Sequence, residues 1–126
     1  MSDVQGPASM KPKRVILEMG TGNDLHGGDY TKAAIRAVQD AIHHSSLSIT
    51  RSLGLDSRKM LVEVTIGVQR PDMVDAAAVK ATLPHGQVSV SVVQGGLDVP
   101  DDTSGDTAVI ASAAVAVRLD LPQPSG

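Results

Sequence analysis

The spacing of apolar residues switches between strand-like and helix-like periods along the chain, and the switches predict the fold. Arg14-Val15-Ile16-Leu17-Glu18-Met19 is almost continuously apolar, the pattern of an interior strand covered on both faces. Between Thr31 and Ile42 the apolar positions Ala34, Ile35, Val38, Ala41 and Ile42 share one helical face, and Lys32, Arg36, Gln39 and Asp40 take the other. Asp29 or Thr31 can cap this helix, because either side chain accepts from an orphan N–H. From Lys59 to Val68 the period falls to two, with Met60, Val62, Val64, Ile66 and Val68 on one side and Glu63 and Thr65 on the other. Pro71 and Asp72 open a second helix over Met73 to Leu83, which Pro84-His85-Gly86 ends. Gln87 to Val93 alternates valine with polar residues and reads as a half-buried strand. Gly95-Gly96 interrupts it as a bulge or a close backbone approach, and Asp98 to Asp106 reads as an acidic loop. The Ala-rich Thr107–Leu119 segment has helix formers, but Val115, Val117 and Leu119 alternate with Ala116 and Arg118, which favours a long strand.

The predicted order is β-α-β-α-β-β, an α/β (two-layer α+β) domain. Its four-stranded mixed sheet carries two helices on one face, and oligomerisation covers the other. Residues 1–10 read as a disordered lead, 11–120 as one domain and 121–126 as a flexible tail, with Met1 or Met10 as the natural start. The segment from Leu47 to Ser57 reads as a connection.

Composition changes this picture in one respect. The chain has 126 residues and 41% hydrophobic content, yet no Phe, no Trp and a single tyrosine, Tyr30. A core of Val, Ala, Leu, Ile and Met buries less area per side chain than one with aromatics. A homo-oligomer is therefore the expected state. The absence of cysteine rules out disulfides and thiolate chemistry. A net charge of −3 with scattered cations argues against a nucleic-acid partner, and no apolar run is long enough to span a membrane. A cytoplasmic location is the expectation.

Candidate chemistry concentrates in Gly20-Thr21-Gly22-Asn23-Asp24-Leu25-His26-Gly27-Gly28-Asp29, between the first strand and the first helix. Leu25 stands where the third glycine of GxGxxG belongs, and no Gly-Lys-Ser/Thr follows, so a nucleotide cofactor is not expected. Asp24 and His26 are the candidate catalytic pair, a carboxylate able to orient an imidazole that titrates near neutral pH. The same two residues are possible ligands of a divalent metal, although a catalytic zinc ordinarily takes three protein ligands. Gly20, Gly22, Gly27 and Gly28 would let a small molecule approach the backbone. His43, His44, Gly95 and Gly96 are further candidates for lining a ligand pocket at a subunit boundary. Set against these readings, Asp24 bonding the turn and the histidines closing a helix would be purely structural.

Gly20, Gly22, Asp24, His26 and Gly27 together resemble the GxGxDxHG hallmark of a small conserved family of unknown function found in bacteria and plants. Lys32-Ala33-Ala34, Asp40 to Ser45 and Gln94 to Leu97 are similar to it as well, so the resemblance spans about Lys13 to Leu119. A more distant likeness is to one repeat of the cyanuric acid hydrolase and barbiturase enzymes, carried by the strand, glycine turn, Ala-rich helix and Leu61-Val62-Glu63-Val64. That resemblance implies a trimer, or a multiple of one, with pockets between subunits. It does not carry over the catalytic Ser and Lys. Together these readings imply an oligomeric protein with a small-molecule site, enzymatic through acid–base or hydrolytic chemistry. The alternative is a non-catalytic binding or assembly module.

Overall fold

The computed structural model describes residues 13–43, 60–83 and 87–119. The expectations for the N-terminal lead, His44, the 47–57 connection, the 84–86 helix stop and the C-terminal tail fall outside them. The element order is β1 (Lys13–Asp24), α1 (Tyr30–His43), β2 (Leu61–Val68), a 3-10 turn (Pro71–Met73), α2 (Ala76–Lys80), β3 (Gln87–Gln94), β4 (Leu97–Pro100) and β5 (Thr107–Leu119). The mixed α/β class is as read from the sequence, with five strands in the sheet where four were expected.

The strands lie in the order β1-β5-β2-β3, and β4 pairs with the start of β5. The long strand β5 runs antiparallel to β1 and β2, while β2 and β3 are parallel. Its alternation therefore won over its alanines. Val109, Ala111, Ala113, Val115, Val117 and Leu119 are all buried on the helix side. The alternation of β2 also holds, with Val62, Val64, Ile66 and Val68 buried beneath the helices. Tyr30, Ala33, Ala34, Ala37, Val38 and Ala41 complete that core from α1.

Three elements differ from the expectation. First, β1 continues five residues past Met19 to Asp24, so half of the glycine stretch is strand. It is also an edge strand, with Leu17 46% and Met19 73% exposed on the face away from the helices. Gly20 and Gly22 point at α1 instead. A Cβ on Gly20 would lie 2.3 Å from the Ala41 nitrogen and 2.5 Å from the Ala37 oxygen. One on Gly22 would lie 2.2 Å from the Ala37 nitrogen and 2.5 Å from the Ala33 oxygen. Each glycine thus sits over one i→i+4 unit of the helix backbone. Two residues of strand advance about 6.6 Å and four of helix about 6 Å, so Gly20-x-Gly22 and Ala33/Ala37/Ala41 keep step.

Second, the helix expected over Met73–Leu83 is reduced to Ala76–Lys80. Val74 and Asp75 are extended because Asp75 is itself the cap, accepting from the Ala78 amide at 3.1 Å. Third, part of the acidic loop is strand β4. Gly96 at φ +61° allows the crossing: a Cβ there would meet the Ile110 oxygen at 2.2 Å and the Gly67 oxygen at 2.8 Å. The chain thereby leaves β3, passes the end of β2, and pairs Leu97 with Ile110 on β5. Gln69 Nε2 fixes this crossing by donating to the Gly95 and Gly96 carbonyls, each at 3.1 Å.

Toward its C-terminal end the outer edge of β1 is not left open. Asp40 Oδ2 accepts from the Thr21 amide at 2.9 Å, and Arg36 Nη1 donates to the Asn23 carbonyl at 2.7 Å. Helix α1 thus supplies by side chain what an edge strand lacks from a neighbour.

Gly22→Ala is expected to cost about 3 kcal/mol or more, because backbone rather than a flexible side chain must move. For a domain of this size that lowers Tm by roughly 10 °C or more. Gly27→Ala, whose Cβ meets only Asp24 Oδ2 at 3.3 Å, is expected to cost far less. Thermal denaturation of the two variants checks the contrast, and equal Tm values would contradict the packing described.

Candidate functional site

Gly20, Gly22 and Asp24 follow one another on the helix-facing side of β1, and the third is a carboxylate because α1 ends there. Asp24 is 7% exposed. Its Oδ2 accepts from the Asp29 amide at 2.9 Å, a carboxylate set at a helix N-terminus where the backbone dipoles favour negative charge. Asp29 caps α1 as expected, its Oδ1 accepting from the Lys32 amide at 3.0 Å. The loop between the two aspartates needs Gly28 at φ +61°.

The other oxygen, Asp24 Oδ1, faces two cations one helical turn apart: Lys32 Nζ at 3.8 Å and Arg36 Nη1 at 4.0 Å. Both distances exceed an N–H···O bond, so the pairs are held by charge rather than by shared protons. Lys32 and Arg36 are about half exposed, while the Asp24 side chain is 9% exposed. Together with Asn23, Leu25, His26, Gly27 and Asp29 they line a cleft of about 460 Å³.

The sequence placed Asp24 and His26 as partners, and both do line this cleft. They are not hydrogen-bonded to each other. His26 is 85% exposed and its Nδ1 lies 3.3 Å from Asp106 Oδ2, from the loop before β5. The reason is geometric: Asp24 is on the buried side of the strand end, and the glycine loop carries His26 outward. His26 also borders a second cleft of about 520 Å³, walled by Leu25, Val99, Pro100, Asp101 and Asp106. Asp101 is held below the usual carboxylate range by the Thr103 hydroxyl and amide, at 2.7 and 2.9 Å, which order this loop.

The remaining candidates scatter. Gly27 lines the Asp24 cleft, and Gly28 shapes its loop. Gly20 and Gly22 are occupied by α1, and Gly95 and Gly96 by Gly67 and β5. His43 is at the opposite end of α1 from the cleft. Among the described residues, no group of three or more His, Asp or Glu is placed to hold a metal.

Sequence reading missed two features. Lys32 and Arg36 look like the solvent face of an amphipathic helix, and only the position of Asp24 beneath them makes them site residues. Tyr30 is buried and donates its hydroxyl to Asp98 Oδ2 on β4, joining the first turn of α1 to the far strand. Asp98 Oδ1 is buried with no hydrogen-bond partner. The bond to Asp98, then burial, raise the Tyr30 pKa above 10.0.

Together the fold and cleft define a small two-layer α/β protein with a charged cleft at the strand–helix junction. A family model described as "Conserved hypothetical protein (Lin0512_fam)" matches residues 14–117, and the chain belongs to that family. It is similar to a solved FtsZ-like protein of unknown function from Nostoc punctiforme, at 37% identity and a TM-score of 0.78, over 90% of this chain and 100% of that one. No curated protein matches. The expectation of a small conserved family of unknown function is met. No helix among the described residues is long and apolar enough to cross a membrane.

Tyr30 gives a direct pH test, being the chain's only tyrosine in the absence of tryptophan. Because folding raises its pKa, its contribution to stability is complete below about pH 10 and disappears as pH rises through the higher native value. Near-ultraviolet titration of tyrosinate is expected to give an apparent pKa above 10 in the native protein and about 10 in denaturant. In Asp98→Ala the native value is expected to fall toward the denatured one. A native titration that matches the denatured one would contradict the buried bond.

Proposed function

We propose that the chain binds a small molecule bearing one anionic group, such as a carboxylate, in the cleft between Asp24, Lys32 and Arg36. The observation that carries this reading is the loose ion triad. Lys32 and Arg36 are held about 4 Å from a buried carboxylate, close enough to be positioned and too far to be hydrogen-bonded to it. An incoming anionic group can take their outward protons while Asp24 keeps both side chains aimed at the cleft. A single positioned charge pair of this kind contributes about 1.5–3 kcal/mol through charge-assisted bonds. His26, exposed at the rim with Asp106 on its Nδ1 side, supplies a group able to move a proton to or from the bound molecule. This is the enzymatic form of the proposal, an acid–base or hydrolytic site in an oligomeric protein.

One observation favours the alternative, a non-catalytic module. Asp24 Oδ2 already braces the loop through the Asp29 amide, so the aspartate has a structural task whatever the cleft contains. Asp24→Asn separates the two readings, since its side-chain oxygen can still accept from Asp29 while the charge facing Lys32 and Arg36 is gone.

A thermal-shift panel of small carboxylates and phosphates tests the proposal. A binder at about 100 times its Kd stabilises by roughly 2.7 kcal/mol, which is a Tm rise of several degrees. Lys32→Ala/Arg36→Ala is expected to abolish the rise, and Asp24→Asn to reduce it at nearly unchanged intrinsic Tm. His26→Ala is expected to retain binding and lose any turnover. A wild-type Tm unmoved by every compound, or a shift that survives the double substitution, would contradict the reading.

A further inference from the structure

The sheet has one face covered by α1 and α2 and one face bare. Five of the seven large exposed apolar side chains of the described residues lie on the bare side, Leu17 and Met19 on β1, Val93 on β3, and Leu97 and Val99 on β4, while Leu25 and Met73 lie outside the sheet. The five are not spread evenly across the bare side. The register places Met19 beside Ala114 and Thr65, Thr21 beside Ser112 and Gly67, and Leu17 beside Ala116 and Glu63. The middle of the face is therefore a trough of small residues, bounded on the β1 side by a ridge of two long ones. A groove of about 500 Å³ follows this trough beside Met19, over Thr65, Gly67, Ser112 and Ala114.

We propose that a second copy of this chain packs face to face on the bare side of the sheet, the Leu17–Met19 ridge of each copy seated in the β5 trough of the other. Three observations favour a second copy over a different partner. The surface holds both a ridge and a matching trough, which a two-fold axis pairs with each other, as an isologous interface requires. Glu63 and Arg118 satisfy one another at 2.7 Å on neighbouring strands, so the middle of the face presents no unpaired charge for an oppositely charged partner, and Arg14, opposite Arg118 in the register, stands at its end. The size of the face also fits. Four strands of 8 to 13 residues, about 4.8 Å apart and about 34 Å long on average, give a footprint of roughly 650 Å² before side-chain relief is added. A stable interface needs about 800 Å² per partner. Small residues at the centre further allow two sheets to approach to about 10 Å. At the C-terminal end of β1, Asp40 and Arg36 already occupy the outward Thr21 amide and Asn23 carbonyl, which disfavours edge pairing there.

The surface is independent of the Asp24 triad but reaches the rim of the second cleft, because Val99 and Ala108 belong to that cleft's wall as well. A second copy seated on this face would therefore close the side of the cleft formed by Val99 and Ala108.

Size-exclusion chromatography with light scattering should give a mass of at least twice the 13.0 kDa chain. Met19→Glu is expected to weaken association at least 10-fold while the far-ultraviolet circular dichroism stays native. Because the chain has no cysteine, a second readout does not depend on that variant folding well. A Met19→Cys thiol should react with a bulky maleimide at least 10-fold more slowly than a Thr103→Cys thiol at concentrations where the assembly forms, and equally fast on dilution. A wild type that is monomeric throughout overturns the proposal. So does an assembly in which Met19→Cys stays as reactive as Thr103→Cys, which would place the contact elsewhere, such as the open edge of β3.

Discussion

The structure depends on a backbone-to-backbone contact between β1 and α1. Gly20 and Gly22 remove the side chains from two successive helix-facing positions of the strand, and Ala33, Ala37 and Ala41 present the smallest possible stripe in return. The chain has few large side chains with which to fill a layer between helix and sheet, and close approach makes that layer unnecessary. Packing at native density is then achieved by proximity rather than by volume. The arrangement also accounts for the edge of β1, since only a helix lying this close brings Asp40 and Arg36 to the Thr21 amide and the Asn23 carbonyl.

The cleft follows from the same contact. Along one face of β1 the residues read Gly20, Gly22, Asp24, and the change from hydrogen to carboxylate falls where the helix backbone gives out. There the unpaired amide of Asp29 takes one carboxylate oxygen, and the side chains of Lys32 and Arg36 descend from the first two turns toward the other. Structure and site are two uses of a single register. This is why a stretch that looks like one loop has two jobs, its first half building the fold and its second half shaping a cleft.

Much of this was legible in the sequence. The period-two patterns of β2, β3 and β5 and the apolar stripe of α1 predict the mixed α/β class, and the Asp24–Asp29 segment stands out by composition alone. The rest was hidden for physical reasons. Glycine in a strand reads as a turn because its local propensity is poor, and only the facing Ala33/Ala37/Ala41 stripe reveals it as a packing device. Strand β4 was hidden behind Asp98 and Pro100, residues rare in strands, and it exists because Gly96 redirects the chain onto β5. Lys32 and Arg36 are indistinguishable from solvated helix cations until the strand end beneath them is placed. The imidazole's carboxylate was assigned to Asp24, its neighbour in sequence, whereas the Asp106 that it meets is 80 residues away and is set beside it by β5.

Amide hydrogen exchange at Thr21 and Asp29 tests the seating of α1 on β1 most directly. The hydrogen bonds of both amides lie outside the sheet ladder, to the side chains of Asp40 and Asp24 respectively. If the helix and strand form one unit, both exchange slowly, at rates approaching those of the central β5 amides, and Asp40→Ala accelerates Thr21 selectively. Exchange of these two amides at the rates of unprotected peptide, alongside a protected β5, would contradict the account.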